Sequence, residues 1–268
     1  MYPILFEWGS FILPAWHVFY VLGAIAAYYL MIFLAKKHYS EFLKTENLSR
    51  LFVVCYISGY FGARLLSIFI DEPHLHTFSE RLFALFSFGP MTFYGGFIAA
   101  SICGAIYIVI RGISLRIVLD VAMPAGLLAL AIGRIGCFLN GDDFGKPVSL
   151  MAGEIPPWWS VSFPNLEDGI YRYPVQLMST VFVGLFVILI CWKYNFLKKR
   201  FFFGAIGCFC AVGYALLRFV LEYFRGDPRG WFIENLISPS QFISLLVFIV
   251  SIFYLFFLKM KSRQVENL

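Results

Sequence analysis

Gly133-Arg134-Ile135-Gly136-Cys137-Phe138-Leu139-Asn140-Gly141-Asp142-Asp143-Phe144-Gly145 joins a long apolar run to a polar, glycine-rich loop, and a cation lies inside the apolar part. The run begins near residue 117 and is long enough to cross a bilayer, which takes about 20 apolar residues rising 1.5 Å each. An arginine within such a span costs roughly 2.5–3.5 kcal/mol on insertion scales, so it faces a bundle interior or a polar cavity and has a partner there. The stretch thus implies membrane helices, with the chemistry near one helix end.

Working outward, the rest of the chain agrees. Of 268 residues, 60% are hydrophobic, 20% aromatic and 14% charged, which is far from a soluble domain. Apolar segments at about 14–35, 48–70, 91–110, 117–139, 173–192, 202–224 and 238–258 predict an all-α integral membrane protein, a single domain of seven transmembrane helices. The basic clusters Lys36, Lys37, Lys44 and Arg50, then Arg111 and Arg116, then Lys193 and Lys198–Arg200, then Lys259, Lys261 and Arg263 fall on one side. The positive-inside rule makes that side cytoplasmic. The N-terminus is then outside, the C-terminus cytoplasmic, and the long loops 71–90 and 140–172 lie on the outer face. No Lys or Arg precedes residue 36, so the first span reads as retained rather than cleaved. The loop 140–172, with its prolines and Trp158 and Trp159, reads as an ordered interfacial segment over the site, and the tail Lys259–Leu268 as polar and mobile.

The net charge of +5 follows the topology, and no nucleic-acid partner is expected. Cysteines 55, 103, 137, 191, 208 and 210 all fall in apolar runs and read as small buried hydrophobes. Asn140, Asp142 and Asp143 lack the ligand spacing of a calcium loop, so no metal is expected.

With this topology Arg64, Arg134 and Arg218 each stand five or six residues before the outer end of a span, roughly 8–9 Å below the interface. Long arginines near span ends also snorkel to headgroups, and that reading stays open for each. Glu222 lies at i+4 from Arg218 on the same face, and Arg225 continues that face at i+7. Guanidinium forks suit phosphate, so the cluster is a candidate anion site.

The same residues carry a family resemblance. Gly133–Gly145 resembles the signature of the prolipoprotein diacylglyceryl transferases, Gly-Arg-x-Gly-Asn-Phe-x-Asn-x-Glu-x-x-Gly, with Cys137 in place of the asparagine and Asp142 in place of the glutamate. Gly62-Ala63-Arg64-Leu65 is similar to the family's second-span arginine motif, and Gly95-Gly96 to its His-Gly-Gly turn. Asp120 and Pro124 resemble the pair that precedes the signature, and Tyr173-Pro174-Val175-Gln176-Leu177 resembles His-Pro-x-Gln-Leu. Arg218–Arg225 resembles Arg-Phe-x-x-Glu-x-x-Arg, and Ser238–Ser244 the final Ser-x-x-Gln-x-x-Ser. Tyr94 and Tyr173 stand where the family has histidines, and Trp16 where its first span offers a tyrosine.

The resemblance implies transfer of the diacylglyceryl group of phosphatidylglycerol to the lipobox cysteine of a prolipoprotein in the bacterial inner membrane, the first step of lipoprotein maturation, with no cofactor. It assigns Arg134 and Arg218 to the phosphate and Glu222 to orienting Arg218. Asn140, Asp142, Gly145 and Gln176 then belong to the substrate pocket, Arg64 stands behind it, and Tyr94 is a hydrogen-bond donor to the phosphate or leaving oxygen. Tyr94 also reads as an interfacial aromatic, and Cys137 as a small space-filling residue or as a nucleophile of the enzyme's own. Two alternatives accompany this reading: a degenerate paralogue that binds anionic lipid or signal peptide without turnover, and a transferase with a different acceptor. A transporter fits least, since the charges cluster at one leaflet.

Overall fold

The computed structural model describes residues 2–8, 11–87, 89, 91–151, 153–227 and 236–266. Seven helices among them are long and apolar enough to cross a membrane: α1 (Ala15–His38), α2 (Thr45–Ile70), α4 (Phe93–Ile110), α5 (Leu115–Asn140), α6 (Val175–Arg200), α7 (Ala205–Glu222) and α8 (Pro239–Glu266). All seven expected spans are present, and several helices overrun the apolar window. α6 continues through Lys198–Arg200, and α8 continues into the polar tail; Asn267 and Leu268 lie outside the described residues.

Three smaller features were not expected. A hairpin, β1 (Ile4–Trp8) with β2 (Phe11–Pro14), precedes α1. The short helix α3 (Phe78–Phe86) lies in the loop after α2. The two-residue strands β3 (Val161–Ser162) and β4 (Tyr171–Arg172) pair in the loop before α6. α3 was readable from the sequence: Thr77 accepts from the Glu80 amide and Glu80 returns a bond to the Thr77 amide, which is the reciprocal box of a Thr-x-x-Glu start.

The chain divides into two compact units, residues 1–31 with 119–268, and residues 32–118. In the first unit α1 and α5 run antiparallel through small residues. A Cβ on Gly23 would stand 2.8 Å from the Ala129 carbonyl, and one on Gly136 would stand 3.0 Å from the Trp16 Cα. Without a hydrophobic drive between helices in lipid, close backbone approach of this kind supplies the packing.

Near the other end of α5, Asp120 ties three helices together. Its carboxylate accepts from the amides of Gly204 (2.8 Å) and Gly207 (2.9 Å) and so caps the start of α7 from a neighbouring helix. Its own carbonyl would bond the amide four residues on, but that residue is Pro124, which has no N–H. The buried hydroxyl of Tyr194 on α6 donates to this carbonyl instead, at 3.0 Å. The Asp and Pro before the signature therefore act in the scaffold.

In the second unit α2 and α4 cross on glycines. A Cβ on Gly62 would stand 2.6 Å from the Gly95 carbonyl, and one on Gly96 would stand 2.9 Å from the Gly59 carbonyl. Gly95 and Gly96 were expected in a turn; they lie inside α4, where the lack of side chains lets the helices touch.

Candidate active site

α5 delivers Arg134 close to its C-terminal end, and the loop beyond folds back onto it. Asp143 has a left-handed backbone, φ 57°, a region that Asp and Asn enter more readily than most residues. One oxygen of its carboxylate pairs with Arg134, and the other accepts from Arg225 at 2.5 Å. Asp142, the residue at the expected acidic position, is exposed and accepts from the Asn140 amide at 2.9 Å. Its backbone carbonyl accepts from the side chain of buried Gln176 at 2.6 Å.

Arg225 reaches Asp143 because the chain leaves α7 at Glu222, short of the expected i+7 position. The helix tightens through bonds from Phe224 to the Leu221 carbonyl and from Arg225 to the Glu222 carbonyl, and the next residues pair with the loop after α5. Lys146 donates to the Phe224 carbonyl (2.8 Å), Gly226 to the Phe144 carbonyl (3.0 Å), and Tyr173 to the Lys146 carbonyl (3.1 Å). Three distant segments thus form one ladder. A Cβ on Gly145 would collide with the Tyr173 carbonyl, so the close approach at this glycine is made by the protein's own backbone. Arg225 also bonds Asp227 at 2.9 and 3.0 Å. Burial works against its charge, but these bonds and the Asp143 carboxylate hold its pKa above the ordinary arginine value.

The opposite side of the site comes from α7 and α8. Arg218 pairs with Glu222 at 2.7 Å, as i,i+4 spacing requires, and donates to the Ser240 hydroxyl at 2.9 Å. Glu222 accepts from the Ser238 hydroxyl at 2.9 Å. Ser238 also begins α8, with its hydroxyl accepting from the Gln241 amide (3.2 Å) and its amide donating to the Gln241 side chain (3.1 Å). The Ser-x-x-Gln segment is therefore a capping box with Pro239 at the first helical position, and it orients Glu222 as it starts the helix.

Arg134, Asp143, Gln176, Tyr214, Arg218 and Arg225 line one pocket with about 290 Å³ of empty space, mouth included. The three guanidinium groups are paired with Asp143, Glu222 and Asp227, and their forked donors suit an oxyanion at this point. Tyr173, at a position where a histidine was expected, is built into the wall: it stacks on Trp159 at 5.1 Å and meets the Phe224 edge at 5.5 Å.

Arg64 and Tyr94 belong to the other unit. Arg64 is 1% exposed, so it does not snorkel; it bonds Glu72 at 2.7 and 3.3 Å and the Ala84 carbonyl at the end of α3 at 2.9 Å. Tyr94 lies in the first turn of α4, half exposed, against Phe93.

Cys137, Asp142 and Asp143 bring ligand atoms within 4.8 Å of one another. Both Asp143 oxygens are already held by arginines, whose charges oppose a metal cation there.

A family model for prolipoprotein diacylglyceryl transferase matches residues 3–257. The chain belongs to the prolipoprotein diacylglyceryl transferase family. It is similar to phosphatidylglycerol–prolipoprotein diacylglyceryl transferases of Clostridium tetani (30% identical, 94% of this chain and 96% of the relative) and Dechloromonas aromatica (29%, 93% and 92%). A relative of the same name from Francisella tularensis subsp. novicida is 27% identical over 99% of this chain and 97% of its own. As a member of the prolipoprotein diacylglyceryl transferase family the chain is a transferase with seven membrane-length helices. Of the residues around its pocket, Tyr214 and Ser240 were not named from the sequence, Asp143 entered only as a poor calcium ligand, and Ser238 only as the start of a resembling segment. The role of Ser238 could have been read there, because Ser-x-x-Gln before an apolar run is a helix-start signal. Asp143 carried no signal that distinguished it from Asp142.

Proposed function

We propose that this chain moves the diacylglyceryl group of phosphatidylglycerol onto the cysteine thiol of a prolipoprotein signal peptide. The convergence of Arg134, Arg218 and Arg225 on one pocket, in a chain of this family, carries the reading. The thiolate sulfur attacks C3 of the lipid's glycerol, the C3–O bond breaks, and glycerol phosphate leaves with the bonding electrons while a thioether forms. The thiol's proton goes to a base or to water. A leaving phosphate needs preorganised positive charge, and donors fixed in a dry site supply more than the same donors in water.

In this scheme Arg134 and Arg218 hold the phosphate and Glu222 orients Arg218. Asn140, Asp142, Gly145 and Gln176 shape the headgroup side. Arg64 holds the second unit together through Glu72 and the Ala84 carbonyl, and Tyr94 donates a hydrogen bond to the phosphate or leaving oxygen. A phenol hydroxyl can donate or accept, and in this scheme Tyr94 acts as the donor. The pocket opens to the outer leaflet of the bacterial inner membrane, with the N-terminus outside, the C-terminus cytoplasmic and the loop of Trp158 and Trp159 at the interface. The basic residues in the last turns of α1 and α6 support this orientation. No observation favours a lipid-binding protein without turnover.

The test is purified protein in phosphatidylglycerol micelles with a lipobox peptide. Glycerol phosphate release with a diacylglyceryl mass gain on the peptide is the expected result. Release that needs no cysteine would refute the acceptor, and no release beside an active control enzyme would refute the reaction.

A further inference from the structure

Asp143 stands outside the residues to which the signature points, yet two of the pocket's three arginines turn to it. One carboxylate oxygen pairs with Arg134 on α5, the other with Arg225 beyond α7. A carboxylate held this way, one oxygen at each of two guanidinium groups from separate segments, presents to them what a bound phosphate would present. It lines the same pocket as Arg218, and it sits on a left-handed backbone that few non-glycine residues adopt.

We infer that Asp143 is an internal anion of the catalytic cycle. It occupies Arg134 and Arg225 while the headgroup is absent, yields them to the phosphate of the incoming lipid, and re-forms the pairs as glycerol phosphate departs. Without Asp143 in the empty pocket, Arg218 would keep Glu222 and Arg225 would keep Asp227, but Arg134 would lose its carboxylate partner, a costly arrangement close to a membrane interior. Full, the same arginines would bind the phosphate product tightly, and a tethered carboxylate competes it away.

This role differs in sign from that of a residue that only holds arginines in place. Removing a prop loosens the guanidinium groups and weakens anion binding. Removing a competitor strengthens it and slows product release. Arg225 keeps its two bonds to Asp227 in either case, so its position does not depend on Asp143 alone.

The inference rests on the pocket being the phosphate site, and the experiment separates the two. Glycerol phosphate is titrated into the full-length protein in detergent by calorimetry, and is also used as an inhibitor of transfer, for wild type, Asp143→Asn and Arg134→Gln. Asparagine keeps the shape of Asp143 and suits the left-handed backbone. Asp143→Asn is expected to bind glycerol phosphate about tenfold more tightly, the equivalent of one charge-assisted hydrogen bond returned to the ligand, with kcat and KM both reduced. Unchanged or weaker binding by a folded Asp143→Asn protein, with Arg134→Gln impaired, overturns the role of Asp143 and leaves the phosphate site standing. Equal binding by wild type and Arg134→Gln overturns the phosphate site itself. Should the asparagine protein lose its thermal transition, Asp143→Ser replaces it in the calorimetric arm, which needs no turnover.

Discussion

The hydroxyl of Tyr194 fills, at 3.0 Å, the hydrogen bond that Pro124 cannot give to the carbonyl of Asp120. A proline inside α5 is thus tolerated because a side chain on α6 replaces the missing amide, while the Asp120 carboxylate caps α7. Tyr194→Phe removes this bond to a buried carbonyl and should cost about 1–3 kcal/mol. Asp120→Ala strips two amides of a charged acceptor and should cost more, roughly 2–4 kcal/mol. Thermal unfolding in detergent measures both, and a Tyr194→Phe protein as stable as wild type would show that the bond is dispensable.

Arg134→Ala and Arg218→Ala should each reduce transfer by at least about 10²-fold while the protein stays folded, because each removes a donor aimed at a leaving phosphate. Arg218→Lys should recover little of the loss, since an ammonium cannot bond Glu222, Ser240 and phosphate with one planar fork. The release assay decides: near-wild-type rates in either alanine variant would remove that arginine from the site.

Ser238→Ala should act at two levels. It removes the cap of α8, worth about 1 kcal/mol, and the hydroxyl that holds Glu222. A modest loss of stability should accompany a fall in kcat of about tenfold, one hydrogen bond's worth of misorientation at Arg218. Ser238→Thr, which keeps both bonds, should recover both properties; failure of that rescue would place the defect elsewhere.

Gly145→Ala changes no charge, but its Cβ would collide with the Tyr173 carbonyl and push apart the ladder that brings Arg225 to Asp143. Transfer should fall steeply although every arginine remains. Wild-type kinetics in this variant would mean that the ladder relaxes without disturbing the pocket.

Tyr94→Phe removes one hydroxyl and nothing else. If that hydroxyl donates to the phosphate or leaving oxygen, kcat should drop about tenfold or more with stability unchanged. An unaltered rate would return Tyr94 to the role of an interfacial aromatic.

Much of this protein was legible along the chain because the bilayer imposes simple rules. A span must be apolar over a set length, so seven helices followed from hydropathy, and buried arginines announced a polar site because lipid makes them costly. Local partners were equally readable: Arg218 and Glu222 meet because helical geometry places i and i+4 on one face. The partners of Arg134 and Arg64 were not. Asp143 rather than Asp142 faces the arginines, because the backbone at Asp143 turns left-handed and the ladder through Phe224 and Tyr173 fixes where the loop lies. Arg64 turns to Glu72 beneath α3, and no periodicity in the sequence distinguishes that carboxylate from its neighbour Asp71. Sequence by itself determined which residues enter the membrane and that their charges need partners. Only the tertiary structure decided which carboxylate Arg134, Arg64 and Arg225 meet: the first two find partners nine and eight residues on, beyond a helix end where the fold of the loop and not the helical repeat sets the distance, and Arg225 reaches Asp143 across 82 residues.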